Sequence, residues 1–549
     1  MPTPPDSPSP NLSPYAGRWV AIVRGAVVGQ GGTPEQALTA AKAARHKETP
    51  EIRFVPMNTS WNLPPLLERI RAALPARQPV YLVGGAVRDL LLQRPLHDFD
   101  FVLPGDTLKI SRRLADRLGA AYYPLDAARE TARVILMDED GQHDVLDFAA
   151  LRAPNLESDL RDRDFTINAM AMDLRAPGKL LDPLGGAADL RSKRLRACSP
   201  ASMQNDPVRV LRAVRMAAAF NLHIDPETRQ QMRAAVPGLT KISPERRRDE
   251  ILKILNGPSP HTALRALDML QALPAIFPEL SSLKGVEQSP PHIHDVWEHT
   301  LNTLRALESV LDILTHRPDP EASGNLLLGE LSLRLGRYRE QIRAHLEAEM
   351  IPDRPVRALL FLAALYHDIA KPKTRSVDNG SRVRFFEHDR QGAEIVRQRA
   401  GQLRLSNDEK IRVQRIVRYH MRPLLLANEP RPPSKRAIYR FFRDAGEAGV
   451  DICLLALADT AATYGHTLSP ETWRRQIEIV QQLLKAWWEQ PQKEISPPAL
   501  ITGKDLLALG LQPSPLIGEL LEAVRVAQIE GDVQTREDAL AFVKQHLIA

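Results

Sequence analysis

The sequence predicts a multidomain α+β protein, with a mixed α/β segment ahead of a long helical half. Two patterns carry this reading. From residue 62 to 190, β-branched runs alternate with helix-like runs. After that, apolar residues recur at spacings of three and four, among many arginines. A chain of 549 residues is too long for one ordinary core, so three or four domains are expected.

In chain order, residues 1–14 (MPTPPDSPSPNLSP) read as a disordered tail. WVAIVRGAVVGQGG then gives two β-branched runs split by Arg24-Gly25, a hairpin. TPEQALTAAKA places Thr33, Pro34 and Gln36 at helix-start positions, and IRFVP reads as a third strand. Residues 15–57 are therefore a small ββαβ unit without an evident chemical motif. The helical half divides into a neck and body (191–288), a histidine-studded region (289–488) and a last helical module (499–549). THRPDPEASGN (315–325) reads as a loop and EQPQKEISPP (489–498) as a linker. No internal repeat is present.

Composition narrows the classes. Charged residues are 26% and hydrophobic ones 43%, a globular balance. The net charge of +6 is compatible with a nucleic-acid partner without requiring one. Two cysteines, Cys198 and Cys453, with no CxxC pair, give neither a disulfide framework nor a cysteine zinc site. No run approaches the roughly 20 apolar residues of a membrane span. The N-terminus lacks the apolar core of a signal peptide, so a cytoplasmic protein is expected.

The stretch YLVGGAVRDLLLQRPLHDFDFV carries the first chemistry. VYLV (80–83) reads as a buried strand. Gly84-Gly85 allows a tight turn into a helix, whose free N–H groups suit an anion, and Arg88 lies one turn in. In HDFDFV, residues two apart share a strand face, so Asp98 and Asp100 point together while Phe99 and Phe101 pack behind. Paired carboxylates repel unless a cation sits between them, and oxygen donors suit Mg²⁺.

These residues resemble the signature of class II tRNA nucleotidyltransferases and bacterial poly(A) polymerases, members of the polymerase-β-like nucleotidyltransferase superfamily. The resemblance implies a nucleotidyltransferase head over 62–190, in which Gly84, Gly85 and Arg88 hold a triphosphate and Asp98 and Asp100 bind catalytic Mg²⁺. DVLDFAALR adds a third carboxylate, Asp147 by the family's position or Asp144. DLRDRDFTINAMAM resembles the family's RRDFTINAMA, with Asp162 in place of the first arginine. It implies that Arg163, Asp164 and Asn168 handle ribose and phosphates. LLDPLGGAADLRSKRLRA also matches, with structural glycines. NDPVRVLRAVR resembles the family's EDxxR, with Asn205 at the Glu position. Asp206 reads as an N-cap before Pro207, one turn from Arg209. The pair would read the exocyclic amine and ring acceptors of C or A. Arg212 and Arg215 extend the basic stripe.

The second constellation lies in WEHTL, ALYHDIAKP, FFEHDRQGA, RYHMRP and LALADTAA. It resembles the HD superfamily of helical metal-dependent phosphohydrolases, through His299, His367, Asp368, His388, His420 and Asp459. The resemblance implies a divalent-metal site on several helices. The last module resembles the helical tail of HD-containing tRNA nucleotidyltransferases.

The expected function is template-independent transfer of CMP and/or AMP from CTP and ATP to the 3′ end of tRNA, with release of pyrophosphate. The alternatives are CC-only or A-only addition, poly(A) synthesis, or an HD phosphohydrolase whose head is an RNA-binding platform.

Overall fold

The structure, a computed structural model, describes residues 12, 15, 18–31, 34–43, 48–55, 63–75, 78–96, 98–137, 143–177, 179–316, 326–378 and 382–548. The expected tail (save Leu12), the Thr33 cap and most of the 315–325 loop lie outside these residues. The chain divides into two compact units, residues 1–238 and 239–549.

The first unit opens with the ββαβ motif. β1 (Arg18–Val23) pairs antiparallel with β2 (Ala26–Gly31) and β3 (Glu51–Val55), in the order β2-β1-β3. The hairpin turns at Arg24 and Gly25, both with positive φ, the geometry that matches strand twist. The helix Pro34–Ala43 lies directly on β2: a Cβ on Gly29 would meet the Ala41 backbone nitrogen at 2.5 Å.

The head follows. Its strands are β4 (Tyr81–Val83), β5 (Asp98–Leu103), β6 (Ala121–Asp126), β7 (Thr131–Met137), β8 (His143–Ala150), β9 (Ala171–Asp173) and β10 (Leu180–Leu181). They form one sheet in the order β10-β9-β4-β5-β8-β7-β6. Only β5 and β8 run parallel, at the centre of the sheet. Phe99, Phe101, Leu146 and Phe148 point into the core, and the Phe101 and Phe148 rings stack at 4.9 Å. The helices Pro65–Ala73 and Thr107–Leu118 cover that face through Leu67, Ile70 and Leu114. Asp106 caps the second of them and Gly119, at φ 66°, ends it. On the opposite face, Val83 and Val102 pack against Leu160 and Leu184, and only the start of β5, with Asp98 and Asp100, is exposed.

The compact unit continues past residue 190, through the helices Arg209–Phe220 and Pro226–Ala235. The early neck thus packs with the head, because its arginines bond to head backbone, as described below.

The second unit is helical. Two central helices, Val356–Tyr366 and Ala448–Tyr464, are buried on nearly every side, as expected for helices apolar all round. The expected linker contains one helical turn, Pro491–Glu494, opened by its proline. The last helices, Gly503–Ala508, Pro515–Glu530 and Arg536–Ile548, share a small core of Leu506, Leu520, Val524 and Val543. Glu522 ties this module to the helix Lys435–Ala445 by accepting from Tyr439 and Arg443, each at 2.7 Å. Among the described residues, no helix is long and apolar enough to cross a membrane.

Candidate active site and metal cluster

In the head, the alternation along β5 leaves Asp98 and Asp100 exposed and buries Phe99 and Phe101. The parallel register sets Asp100 beside Asp147 and Asp98 beside Val145. Asp147 therefore shares the face of the β5 aspartates, and Asp144, an odd number of residues away, lies on the other face. Arg133 of β7 is the cross-strand partner of Asp147 and binds it through two hydrogen bonds, 2.8 and 2.9 Å. Turned onto Arg133, Asp147 does not converge with Asp98 and Asp100 as tightly as the ligand groups of the second unit do. Partial desolvation raises the Asp100 pKa, Arg163 opposes it, and the like charges of Asp147 and Asp98 add to the rise. A hard cation would relieve that repulsion, and an all-carboxylate oxygen set fits one.

Gly84 closes the end of β4 above these carboxylates, at φ 75° and ψ −139°. A Cβ there would lie 3.2 Å from Arg163 Nη1 and 3.3 Å from Asp100 Oδ2. The turn thus brings bare backbone against both an acid and a base. Gly85 then opens the helix Gly85–Leu91, and Arg88 is buried within it.

The remaining candidates form a hydrogen-bonded chain. Arg88 bonds both oxygens of Asp89, donates to Asn168 Oδ1 at 2.8 Å, and stacks on the Phe220 ring. Asn168 donates in turn to Asp164 Oδ1. Asp164 also accepts from the Phe165 N–H and from Arg212. Arg163 lies beside Asp159, which is 4% exposed and also accepts from the Arg152 N–H.

Arg209 bonds to the carbonyls of Asp162 and Arg163 and to Ser202. The structure corrects the N-cap reading of Asp206. Pro207 opens a 3₁₀-type turn, in which the Arg209 N–H reaches the Asp206 carbonyl, and the helix starts at Arg209. Asp206 is extended, at the end of the short helix Ser202–Asn205. Arg215 lies on the helix Arg209–Phe220 with Arg212.

The second unit brings its six candidates into one cluster. Asp368 is the centre. Its Oδ2 lies 3.6 Å from His299 Nε2 and 3.2 Å from His367 Nε2, while its Oδ1 lies 3.5 Å from His388 and 3.9 Å from His420. Asp459 Oδ1 approaches His299 Nε2 at 3.0 Å. Two overlapping triads result, His299–His367–Asp368 and Asp368–His388–His420. The sequence places several of these ligands at helix ends, while Asp459 sits within the helix Ala448–Tyr464. His367 and Asp368 follow the buried helix Val356–Tyr366, and His420 follows Asn407–Tyr419.

The Nδ1 atoms of His367, His388 and His420 lie 2.7–2.8 Å from the carbonyls of Ala364, Phe385 and Val417. A carbonyl only accepts, so each Nδ1 carries a proton, and a ring without a second proton offers its lone pair at Nε2. Among the described residues, the buried Nε2 atoms of His388 and His420 have no hydrogen-bond partner. Burial and the neighbouring imidazoles push His420 down to about 4, so its ring is neutral at pH 7. Imidazoles anchored through Nδ1, unpartnered Nε2 atoms and a shared carboxylate fit a divalent metal.

Several residues absent from the motif reading take part. Lys371 forms an ion pair with Asp368 Oδ2 at 2.6 Å and donates a hydrogen bond to Gln288 Oε1. The His292 ring meets His299 edge-on. Asp89, Arg133 and Asp159 brace the head site. The only sequence signal for Lys371 is its spacing of three from Asp368. Arg133 has none, since its partner is set by strand register.

A carboxylate-bearing mixed sheet under a glycine turn, followed by a helical unit with an HD cluster, defines a nucleotidyltransferase with a fused HD domain. Residues 80–196 match the poly A polymerase head domain, 221–284 a probable RNA- and SrmB-binding site of polymerase A, and 296–459 the HD domain. Residues 11–58 match a family of unknown function. An A-adding tRNA nucleotidyltransferase from Deinococcus radiodurans is 34% identical over 486 residues, 87% of this chain and 98% of the relative. A CC-adding tRNA nucleotidyltransferase from Thermus thermophilus is 32% identical, over 84% of this chain and 92% of the relative. The chain belongs to the tRNA nucleotidyltransferase family. Its fold is similar to that of a solved CCA-adding enzyme in complex with CTP, at a TM-score of 0.55 and 22% identity, over 89% of this chain and 97% of the other.

Proposed function

We propose that the protein adds CMP and/or AMP from CTP and ATP to the 3′ end of tRNA without a nucleic-acid template. The single observation that carries the reading is the register of β5 and β8, which gives Asp98, Asp100 and Asp147 one shared face beneath Gly84. The 3′-hydroxyl oxygen forms a bond to the α-phosphorus, the bond to the bridging oxygen breaks, and pyrophosphate leaves with its electron pair. Asp98 and Asp100 would hold Mg²⁺, with Asp147 beside them. Bound there, the metal lowers the charge barrier to attack and stabilises the leaving pyrophosphate.

The chain's own residues bind and orient. The Gly84–Gly85 backbone admits the triphosphate where a side chain on Gly84 would crowd Arg163 and Asp100. Arg163 offers a guanidinium beside that backbone. Arg88, Asn168 and Asp164 act through one another: with their hydrogen bonds already committed, they fix the floor on which ribose and phosphates rest. Arg209 ties the 162–163 backbone to the neck, and Asp206 and Arg209 face the base. Arg212 and Arg215 add positive charge along the same helix.

The HD cluster supports a second reading for the other unit, a divalent-metal phosphohydrolase, carried by the orphaned Nε2 atoms of His388 and His420. A cytoplasmic location agrees with a tRNA substrate.

The test uses purified protein, Mg²⁺ and tRNA transcripts ending before CCA, after C, after CC and after CCA, with sequencing of the 3′ ends. Completion of CCA from the bare end is expected of a full CCA-adding enzyme. CC alone, or A alone on the CC end, identifies a split activity, and long A tracts identify a poly(A) polymerase. No addition to any end overturns the reading.

A further inference from the structure

Away from both sites, a cavity of about 670 Å³ opens in the helical unit, between the helices Pro244–Leu255 and His388–Gln402. Arg247, Arg399 and Arg404 line it, and no carboxylate does. The three arginines differ in what they already hold. Arg399 is neutralised by Glu279, to which it donates twice, at 2.5 and 2.7 Å. Arg404 is open, with 68% of its side chain exposed and Glu245 no closer than 4.0 Å. Its backbone is pinned by Arg248, which donates to the Arg404 carbonyl at 3.0 Å. The Nε of Arg247 is shielded from solvent, and it makes no hydrogen bond among the described residues. With its Nε walled in, Arg247 has only its terminal nitrogens to offer an acceptor from outside the chain.

The chemistry of that acceptor follows from the lining. Pro244 starts a twelve-residue helix at the cavity, so partial positive charge adds to two available guanidinium groups. The apolar part of the wall is Ile276, Leu403 and proline, with no aromatic ring on which a base could stack. An anion is favoured over a whole nucleotide. Arg247 belongs to the segment matched as a probable RNA-binding site, whereas Arg404 belongs to the HD match.

We propose that this cavity docks a phosphodiester of the RNA backbone between Arg247 and Arg404, a contact that rests on the tRNA reading. The two guanidinium groups come from separate helical segments, so the site recognises a phosphate held in a fixed place along a folded RNA rather than any sequence.

The experiment measures tRNA binding across a salt series for the full-length wild type, Arg247→Gln, Arg404→Gln and the double variant, with KM for ATP and CTP alongside. The double variant is expected to bind about 10-fold more weakly at fixed salt. Its log Kd against log salt is expected to be shallower by about one unit for the lost phosphate contact. Both nucleotide KM values should stay unchanged, and Arg247→Lys should restore most of the slope. The exposed Arg404 carries the test alone if Arg247→Gln does not fold. If the wild type binds tRNA and the variants match it in Kd and slope, the proposal fails while the tRNA reading stands. A rise in nucleotide KM at constant tRNA affinity also overturns it, by assigning the cavity to free nucleotide. If the wild type does not bind tRNA, both fail.

Discussion

Arg88 Nη1 donates to Asn168 Oδ1 at 2.8 Å, joining two motifs that lie 80 residues apart. Both groups are buried, at 6% and 8% exposure, where an unpaired polar atom is costly. Arg88 and Asn168 therefore act as positioning residues. Asn168→Ala leaves a buried guanidinium short of an acceptor and Asp164 short of a donor, at a cost of about 1–3 kcal/mol to the head. A double-mutant cycle with Arg88→Ala, followed by thermal unfolding and kcat/KM, is expected to show a coupling of about 0.5–3 kcal/mol. Strict additivity would mean that the two motifs are not joined in solution.

The Gly84 geometry makes a second prediction. Gly84→Ala places a methyl 3.2 Å from Arg163 and 3.3 Å from Asp100, on backbone at φ 75° that costs a side chain about 1–3 kcal/mol. The expected result is a KM for ATP and CTP at least about 10-fold higher, with tRNA affinity unchanged. Asp98→Asn and Asp100→Asn should instead lower kcat by about 10³-fold or more, because they remove transition-state charge stabilisation worth several kcal/mol. Steady-state kinetics on a tRNA transcript separates these patterns. Equal kcat for Asp100→Asn and wild type would dismiss the metal-site assignment.

What the sequence made legible follows from the range of each interaction. The paired aspartates of HDFDFV could be read because strand alternation is local and the phenylalanines mark the core side. The choice between Asp147 and Asp144 could not, since it depends on the register of β8 against β5, a non-local pairing. The Asp206 cap was misread for a local reason: proline permits several turn types, and a 3₁₀-type turn displaced the helix start to Arg209. The sequence offered Arg88 as a cation for the triphosphate; beside its neighbour Asp89, its partners Asn168 and Phe220 come from distant segments and could not be read locally. The HD histidines were legible only as a pattern resembling a family. Their convergence on Asp368 depends on the packing of several helices.

Glu279 gives a pH-dependent prediction. It accepts from Tyr366 at 2.6 Å and from Arg399, and burial, which alone would raise its pKa, is outweighed by these donors. Its folded pKa lies below the ordinary glutamate value. Its contribution is therefore complete above the unfolded pKa, near 4.5, and is lost as pH falls through the lower folded value. Glu279→Gln should lower the stability of the helical unit at pH 7 by roughly 1–3 kcal/mol. The gap from wild type should narrow below about pH 4.5. Denaturant unfolding at pH 7 and pH 4 checks this, and a gap that widens in acid would contradict it.

The HD cluster makes the last prediction, and its readout is metal content rather than activity. His388 and His420 aim their Nε2 atoms at Asp368, and each is held by a carbonyl at its Nδ1. Lys371, bonded to Asp368 Oδ2, already brings one positive charge to the other side of that carboxylate. Removing His420 deletes a donor on the His388 side and leaves the Lys371 side intact. His420→Ala should therefore weaken divalent-metal affinity by at least about 10-fold. Asp368→Asn should weaken it further, because Asp368 serves both triads. Elemental analysis after dialysis against each candidate metal, and calorimetric titration, measure both effects. Asp98→Asn and Asp100→Asn lie in the other compact unit and should leave the HD metal in place. Nucleotide addition should persist in His420→Ala. Full metal retention by Asp368→Asn would show that the cluster is a structural knot of imidazoles and carboxylates, with Lys371 among its counter-charges.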